Sequence, residues 1–219
     1  MTALILDTET TDVENCEVIE LGYIHYPEDV EPAFLRRYRP EGAIKWGALA
    51  THHILREELN DCPPAADAPG DVPLVDYWIG HNIDFDWRAL GKPPVKRIDT
   101  LALCRLYWPE VDSHSLTAMA YFLLGANAGT KGRVRAAHAA LDDVLICRSI
   151  LEVIRKVHKI ETMEELYAAS EDARIPRKWT FGKFKGQPIE AADRGYANWC
   201  RKQPDFDPFV LEALRRANL

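Results

Sequence analysis

The sequence predicts a mixed α/β sheet with helices on both faces and a small module appended at its C-terminal end. Three observations carry that expectation. Apolar, β-branched and aromatic runs come first with a turn between them, strand-like and helix-like segments then alternate, and the final stretch changes in charge and composition. A chain of 219 residues, 47% hydrophobic and 28% charged, is long enough to bury one large core and a minor one.

Leu4-Ile5-Leu6 opens a strand that runs into Asp7-Thr8-Glu9-Thr10-Thr11. Val18–Ile24 and Phe34–Tyr38 read as two further strands, with Pro27-Glu28-Asp29 turning between them, and the three form a meander. Ile44 to Leu59 has moderate helical character, and the prolines and glycine from Cys62 to Pro73 mark a surface connection. Tyr77–Gly80 resumes a strand, and the pattern from His81 to Leu90 suits a short helix. Val95–Ile98 is another strand, Asp99-Thr100 introduces a helix through Trp108, and Ser115 caps a helix to Leu124. Gly125 to Gly132 reads as a mobile loop, because its glycines lack the spacing of a phosphate-binding loop. Ala137 to Val157 is the longest helical pattern. Thr162-x-x-Glu165 is a capping box for a short helix ending near Ser170, and Glu171 to Pro176 reads as a linker. Asp207-Pro208 starts the last helix. The expected organisation is a domain over 1–160, a short helix and linker over 161–175, and a C-terminal module over 176–219.

Composition narrows the function classes. No segment approaches the ~18 consecutive apolar residues of a membrane span, and the chain reads as intracellular, with a cytoplasmic location expected. Five scattered cysteines without a Cys-x-x-Cys argue against a disulfide framework or a zinc ribbon. The formal charge of -7 is unevenly spread: Arg174 to Leu219 holds ten basic and five acidic residues, whereas the first 173 positions hold 17 and 29. The tail is basic and the body acidic, a pattern that suits a tail meeting an anionic partner.

Strand alternation points Asp7 and Glu9 to the same side of a sheet. At ~6 Å and an effective dielectric of ~20 their repulsion is roughly 3 kcal/mol, which a hard cation such as Mg²⁺ or Mn²⁺ would reverse. A solvated acidic turn is the alternative. On the long helix, 100° per residue sets Asp143 at the centre of the apolar face of Ile146, Cys147, Ile150 and Ile154, with Asp142 at its edge. A carboxylate so placed needs a cation, several donors or a proton. His138, at the entrance of that helix, reaches over the same pocket or stands as an ordinary surface histidine.

Asp7-Thr8-Glu9, His81-Asn82-x-x-Phe85-Asp86 and His138-x-x-x-x-Asp143, in that order, resemble the three motifs of the DEDDh family of 3′ to 5′ exonucleases. The resemblance covers about residues 1 to 157 and implies a ribonuclease-H-like fold. It implies that Asp7, Glu9, Asp86 and Asp143 hold two divalent ions, Mg²⁺ or Mn²⁺, and that His138 is the general base. Family spacing selects Asp86 over Asp84 and Asp143 over Asp142. Thr10 and Thr11 would contact the terminal sugar, with plain turn hydroxyls as the alternative, and His52 stands where relatives carry a histidine, for substrate contact or helix packing. Lys131, Arg133 and Arg135 lead into His138 and either touch phosphates or form a solvated basic loop.

In the tail, aromatics alternate with lysines from Trp179 to Gly186, including Lys183 and Lys185, and Tyr196 and Trp199 follow. This composition suits single-strand binding by stacking and phosphate neutralisation, or else a small module with an aromatic core. The tail resembles the extension found in the exodeoxyribonuclease X group of the family. That implies removal of nucleoside 5′-monophosphates from DNA 3′ ends, single-stranded or frayed. An exoribonuclease or short-oligonucleotide nuclease is the enzyme alternative. A vestigial nucleic-acid-binding or polymerase-accessory subunit is the alternative of another class.

Overall fold

Strand β1 (Ala3–Thr10) organises the sheet because it lies at its centre and changes partner type from one side to the other. It pairs antiparallel with β2 (Val18–Tyr26) and parallel with β4 (Tyr77–Gly80). β3 (Phe34–Arg37) extends the sheet antiparallel to β2, and β5 (Lys96–Asp99) extends it parallel to β4, giving the order β3-β2-β1-β4-β5. The mixed five-stranded sheet expected from the sequence is present, and it is the ribonuclease-H-like arrangement. The computed structural model describes residues 2–27, 32–136, 139–204 and 206–219, and the expected turn residues Glu28 and Asp29 lie outside them.

The chain divides into two compact units, Met1–Ala168 and Ala169–Leu219. In the first, Leu4 and Leu6 of β1 join Leu21, Tyr23, Trp78, Ile83 and Leu90 in one core under the 3₁₀ turn Ala65–Asp71 and helix α2, which follows β4 at Asp84–Ala89. The opposite face, set by alternation, carries Ile5, Asp7 and Glu9 and is covered by the long helix α6 (Ala140–His158). Both faces are covered, so the first part of β1 is a continuous apolar run rather than an alternating one.

The moderately helical segment Ile44–Leu59 breaks in two. Helix α1 (Trp46–His52) stops where His53 adopts φ 58°, and a 3₁₀ turn follows at Arg56–Leu59. Asp99 caps α3 (Thr100–Tyr107) by accepting from Leu101 and Ala102 N–H groups, and Ser115 caps α4 (Leu116–Leu124), as their sequence positions predicted. The glycine-rich loop expectation is corrected: Ala128–Ala136 is helix α5. Its two glycines are intrinsically poor helix formers, but the Asn127 side-chain carbonyl accepts from Thr130 N–H at 3.1 Å and starts the first turn. The capping box is present, with Glu165 N–H donating to Thr162 Oγ1 and Thr162 N–H to the Glu165 carboxylate. Helix α7 runs from Met163 to Arg174, so most of the segment read as a linker is helical. Among the described residues, no helix is long and apolar enough to cross a membrane.

The C-terminal unit has its own core. Trp179 is 2% exposed and packs with Ile189, Ala197, Cys200, Val210 and Leu214, while Phe181, Phe184 and Tyr196 lie partly buried around them. Asp193 caps α8 (Arg194–Lys202), and Asp207 caps α9 (Pro208–Arg216) ahead of its N-terminal proline. Of the two readings of the aromatic stretch, the small module with an aromatic core is the one present, and Trp199, 49% exposed, is the ring left open.

Candidate active site

Carboxylates from three elements converge at the end of β1. Asp7 and Glu9 project from the strand toward α6, and Asp143 comes from the first turn of that helix. Carboxylate oxygens of these three lie within 4.8 Å of one another. Asp86 arrives from α2, on the other side of the sheet. It is anchored by Thr8, whose backbone N–H and hydroxyl donate to Asp86 Oδ1 at 2.9 and 2.7 Å. The alternation that aims Asp7 and Glu9 at α6 thus aims Thr8 at α2, and three consecutive residues gather ligands from both faces. Thr8 is a positioning residue that the sequence reading passed over. Thr8→Val, which keeps the N–H but loses the hydroxyl, is expected to loosen Asp86 and weaken divalent-cation binding about tenfold, measured by calorimetric titration.

The competing acids separate cleanly. Asp84 pairs with Arg97 at 2.7 Å, and that guanidinium lies 3.7 Å above the Trp87 ring. The apolar-face position deduced for Asp143 is the one that reaches the strand carboxylates.

Crowding acids in a buried place opposes their ionisation. Burial holds the Asp7 carboxyl well above the usual range, with Asp86, Asp143 and Glu9 adding to it. Glu9 is pushed up to about 8 by burial and then by Asp143, Glu20 and Asp86. Burial also raises Asp86 to about 7, against the lowering effect of its bonds from Thr8. Hard oxygen donors that repel one another when ionised are a donor set that fits divalent cations.

Two further residues shape the cluster without belonging to it. Glu20 lies opposite Glu9 across the β1–β2 ladder and is 2% exposed. It pairs with Arg37 at 2.7 Å, and its other oxygen accepts from Ala140 N–H at 3.0 Å. Helix α6 has no cap from its own sequence, so Glu20 supplies one across the sheet. Gly22 lies opposite Asp7, and a Cβ there would sit 2.8 Å from backbone atoms of Ala140 and Leu141. The missing side chain lets α6 rest directly on β2. Gly22→Ala is expected to shift the helix, destabilise the fold by about 1–3 kcal/mol and weaken Mg²⁺ binding, checked by thermal melting and calorimetric titration.

Other expected site residues have local partners. Thr10 and Thr11 are buried; the Thr10 hydroxyl donates to the Asp12 carbonyl at 2.8 Å, and Thr11 Oγ1 accepts from Glu17 N–H at 3.0 Å. His52 is buried, its Nδ1 accepts from Ile54 N–H at 2.9 Å, and burial lowers its pKa. His81 bridges the Thr100 hydroxyl and the His114 carbonyl at 3.0 and 2.7 Å, a structural clamp. Lys183 pairs with Asp193 at 2.9 Å, and Lys185 is exposed. His138 and the side chain of Arg135 lie outside the described residues. Of the tryptophans, Trp78 is buried and Trp87 lies under Arg97, while Trp46 is 84% exposed beside Lys45, whose N–H donates to the Thr11 carbonyl.

The chain is 26% identical over 200 residues to exodeoxyribonuclease 10 of Escherichia coli strain K12, spanning 89% of this chain and 88% of that protein. This chain is an exonuclease homologue. No family model matches it. Its fold aligns with exonuclease X in complex with 5′ overhanging duplex DNA at a TM-score of 0.63 and 24% identity, covering 77% of this chain and 99% of that one. Escherichia coli exonuclease I in a single-stranded DNA complex aligns at 0.59 and 15% identity, covering 73% and 41% respectively. The acidic cluster is consistent with a metal site.

Proposed function

We propose that this protein is a metal-dependent 3′ to 5′ exodeoxyribonuclease that releases nucleoside 5′-monophosphates from DNA ends. The observation that carries the reading is the meeting of Asp7, Glu9 and Asp143, with Asp86 fixed beside them, in a homologue of an exodeoxyribonuclease. Asp7, Glu9, Asp86 and Asp143 would hold two divalent ions, Mg²⁺ or Mn²⁺. When bound, such ions supply Lewis-acid activation of water and stabilise the charge that develops on the leaving oxygen. Four carboxylates balance two such ions, so the phosphate meets a neutralised site rather than an acidic one.

The chain's own residues then divide the work. Asp7 and Glu9 are fixed by a central strand, Asp143 is set by the seating of α6, and Asp86 is oriented by Thr8. His138, two residues before α6 in the sequence, would take the proton from the attacking water. His138→Ala is expected to slow hydrolysis by roughly 10²-fold or more at neutral pH, measured in single-turnover assays. Contact of Thr10, Thr11 and His52 with the terminal nucleotide, and of Lys183 and Lys185 with the strand, belongs to the same reading and would exchange the local bonds that Thr10, Thr11, His52 and Lys183 make here.

Incubating 5′-labelled single-stranded DNA, a mismatched duplex and RNA with Mg²⁺, with EDTA or with no addition tests the reading. Shortening from the 3′ end in Mg²⁺ alone, with mononucleotide 5′-phosphates as products, is the expected result. Digestion in EDTA would refute the metal-dependent account, and faster turnover of RNA would move the substrate from DNA to RNA.

A further inference from the structure

Helix α8 presents an outward face that the C-terminal core does not use. Its sequence contains no acidic residue, and its buried positions are Ala197 and Cys200. Arg194, Asn198 and Lys202, each four apart, form a stripe on the exposed side, and Trp199 stands beside them. Trp199 is 49% exposed although one ring face is held: it stacks on Tyr196 with centroids 5.5 Å apart and planes 19° from parallel, and its edge meets Phe206. An indole fixed on one face and open to solvent is a rigid platform for another flat ring.

Charge points to the same kind of partner. Arg194 and Lys202 make no ion pair among the described residues, whereas Glu212 and Asp172 of this unit are taken by Arg215 and Arg216. Arg201, also on this helix, bonds Asn198 and the Leu219 carbonyl. The hairpin before α8 folds over Tyr196. Gly182, at φ 68°, passes the tyrosine hydroxyl so closely that a Cβ would not fit, and Lys183 Nζ lies 5.2 Å from the Tyr196 ring centroid. Exposed Lys185 thus sits on a hairpin packed against the Tyr196–Trp199 stack.

We propose that this face of α8 binds single-stranded nucleic acid, with a base stacked on Trp199 and phosphates met by Arg194 and Lys202. Open cations around a single open aromatic ring match the two components of sequence-tolerant strand binding. A protein docking face of ordinary size would instead need a contiguous apolar centre. That the strand is DNA rests on the exodeoxyribonuclease reading, while the surface itself does not.

Binding of a 5′-labelled oligo(dT) to the full chain in EDTA, followed by fluorescence anisotropy at several salt concentrations, tests the proposal. Trp199→Ala is expected to weaken binding about tenfold, with Trp199→Phe restoring most of the loss. Replacing both Arg194→Ala and Lys202→Ala, which disturbs no buried group, should lower the slope of log Kd against log salt by about 1.4. Affinities and salt slopes within error of the parent in all of these variants would overturn it, as would tighter binding of blunt duplex than of single strand through the same residues. Hydrolysis of DNA by the parent in Mg²⁺ is read separately. A chain that digests DNA but ignores these substitutions loses the α8 surface and keeps the exonuclease reading. One that binds through α8 without hydrolysis does the reverse.

Discussion

Asp7→Asn is expected to remove nearly all DNA hydrolysis and, in the same protein, to raise the melting temperature measured in EDTA at pH 8. The substitution keeps shape and removes one charge from the most crowded position of the site. Losing a charge-stabilising group in an active site commonly costs about 10² to 10³ in rate. Here the lost group also helps to assemble the cluster, so activity should fall to about a thousandth or below. Stability moves the other way. Asp7 is held far from its preferred ionised state by burial and by Asp86, Asp143 and Glu9, and that tension is a cost of the folded, metal-free protein. Relieving it should raise the melting temperature of the metal-free protein. Thermal melting of parent and variant, with and without Mg²⁺, checks both halves: Mg²⁺ should stabilise the parent and leave the variant nearly unmoved. A variant that loses activity because it unfolds would show the opposite shift in EDTA.

The second large effect concerns pH. Glu9 near 8 and Asp86 near 7 are both above their ordinary carboxylate values, so over roughly pH 4.5 to 7 the folded metal-free protein keeps protons that the unfolded chain has released. Stability is therefore greatest at the acidic side of that window and falls as pH rises, by on the order of 1.4 kcal/mol per unit for each such proton, levelling off once the folded values are passed. Cations compete for the same oxygens. If both protons leave on binding, apparent Mg²⁺ affinity should rise about a hundredfold from pH 5.5 to 6.5 and flatten above pH 8. Calorimetric titrations in buffers of different ionisation enthalpy count the protons directly, and a pH-independent affinity would show that the carboxylates are already ionised.

Much of this was readable beforehand because local rules governed it. The alternation in β1, the caps at Asp99, Ser115, Thr162 and Asp207, and the face on which Asp143 lies follow from spacing and side-chain chemistry within a few residues. Where the reading missed, a single side chain outside the pattern it used decided the matter. Glycines made Gly125–Gly132 look like a loop, yet the Asn127 cap gives α5 its first turn. Alternating lysines and aromatics left the tail open between a stacking stretch and a small module with an aromatic core; Trp179 is the centre of such a core, and the open ring is Trp199. Thr8 and Glu20 left no local signal. Each acts on a residue brought near only by the fold, and alternation alone assigned Thr8 to the face away from Asp7.

Gly22 extends that point to how chains of this kind are judged. Four acids at the right spacing are commonly taken as a certificate of activity. The distance between Asp143 and the strand acids, however, depends on an empty volume on the neighbouring strand, where even a methyl group would meet the backbone of α6. A variant with every acid intact and a larger residue at that position would pass any inspection of its motifs and yet hold its cations poorly. Screens for lost function should recover it beside the acids themselves, although it touches neither metal nor nucleic acid.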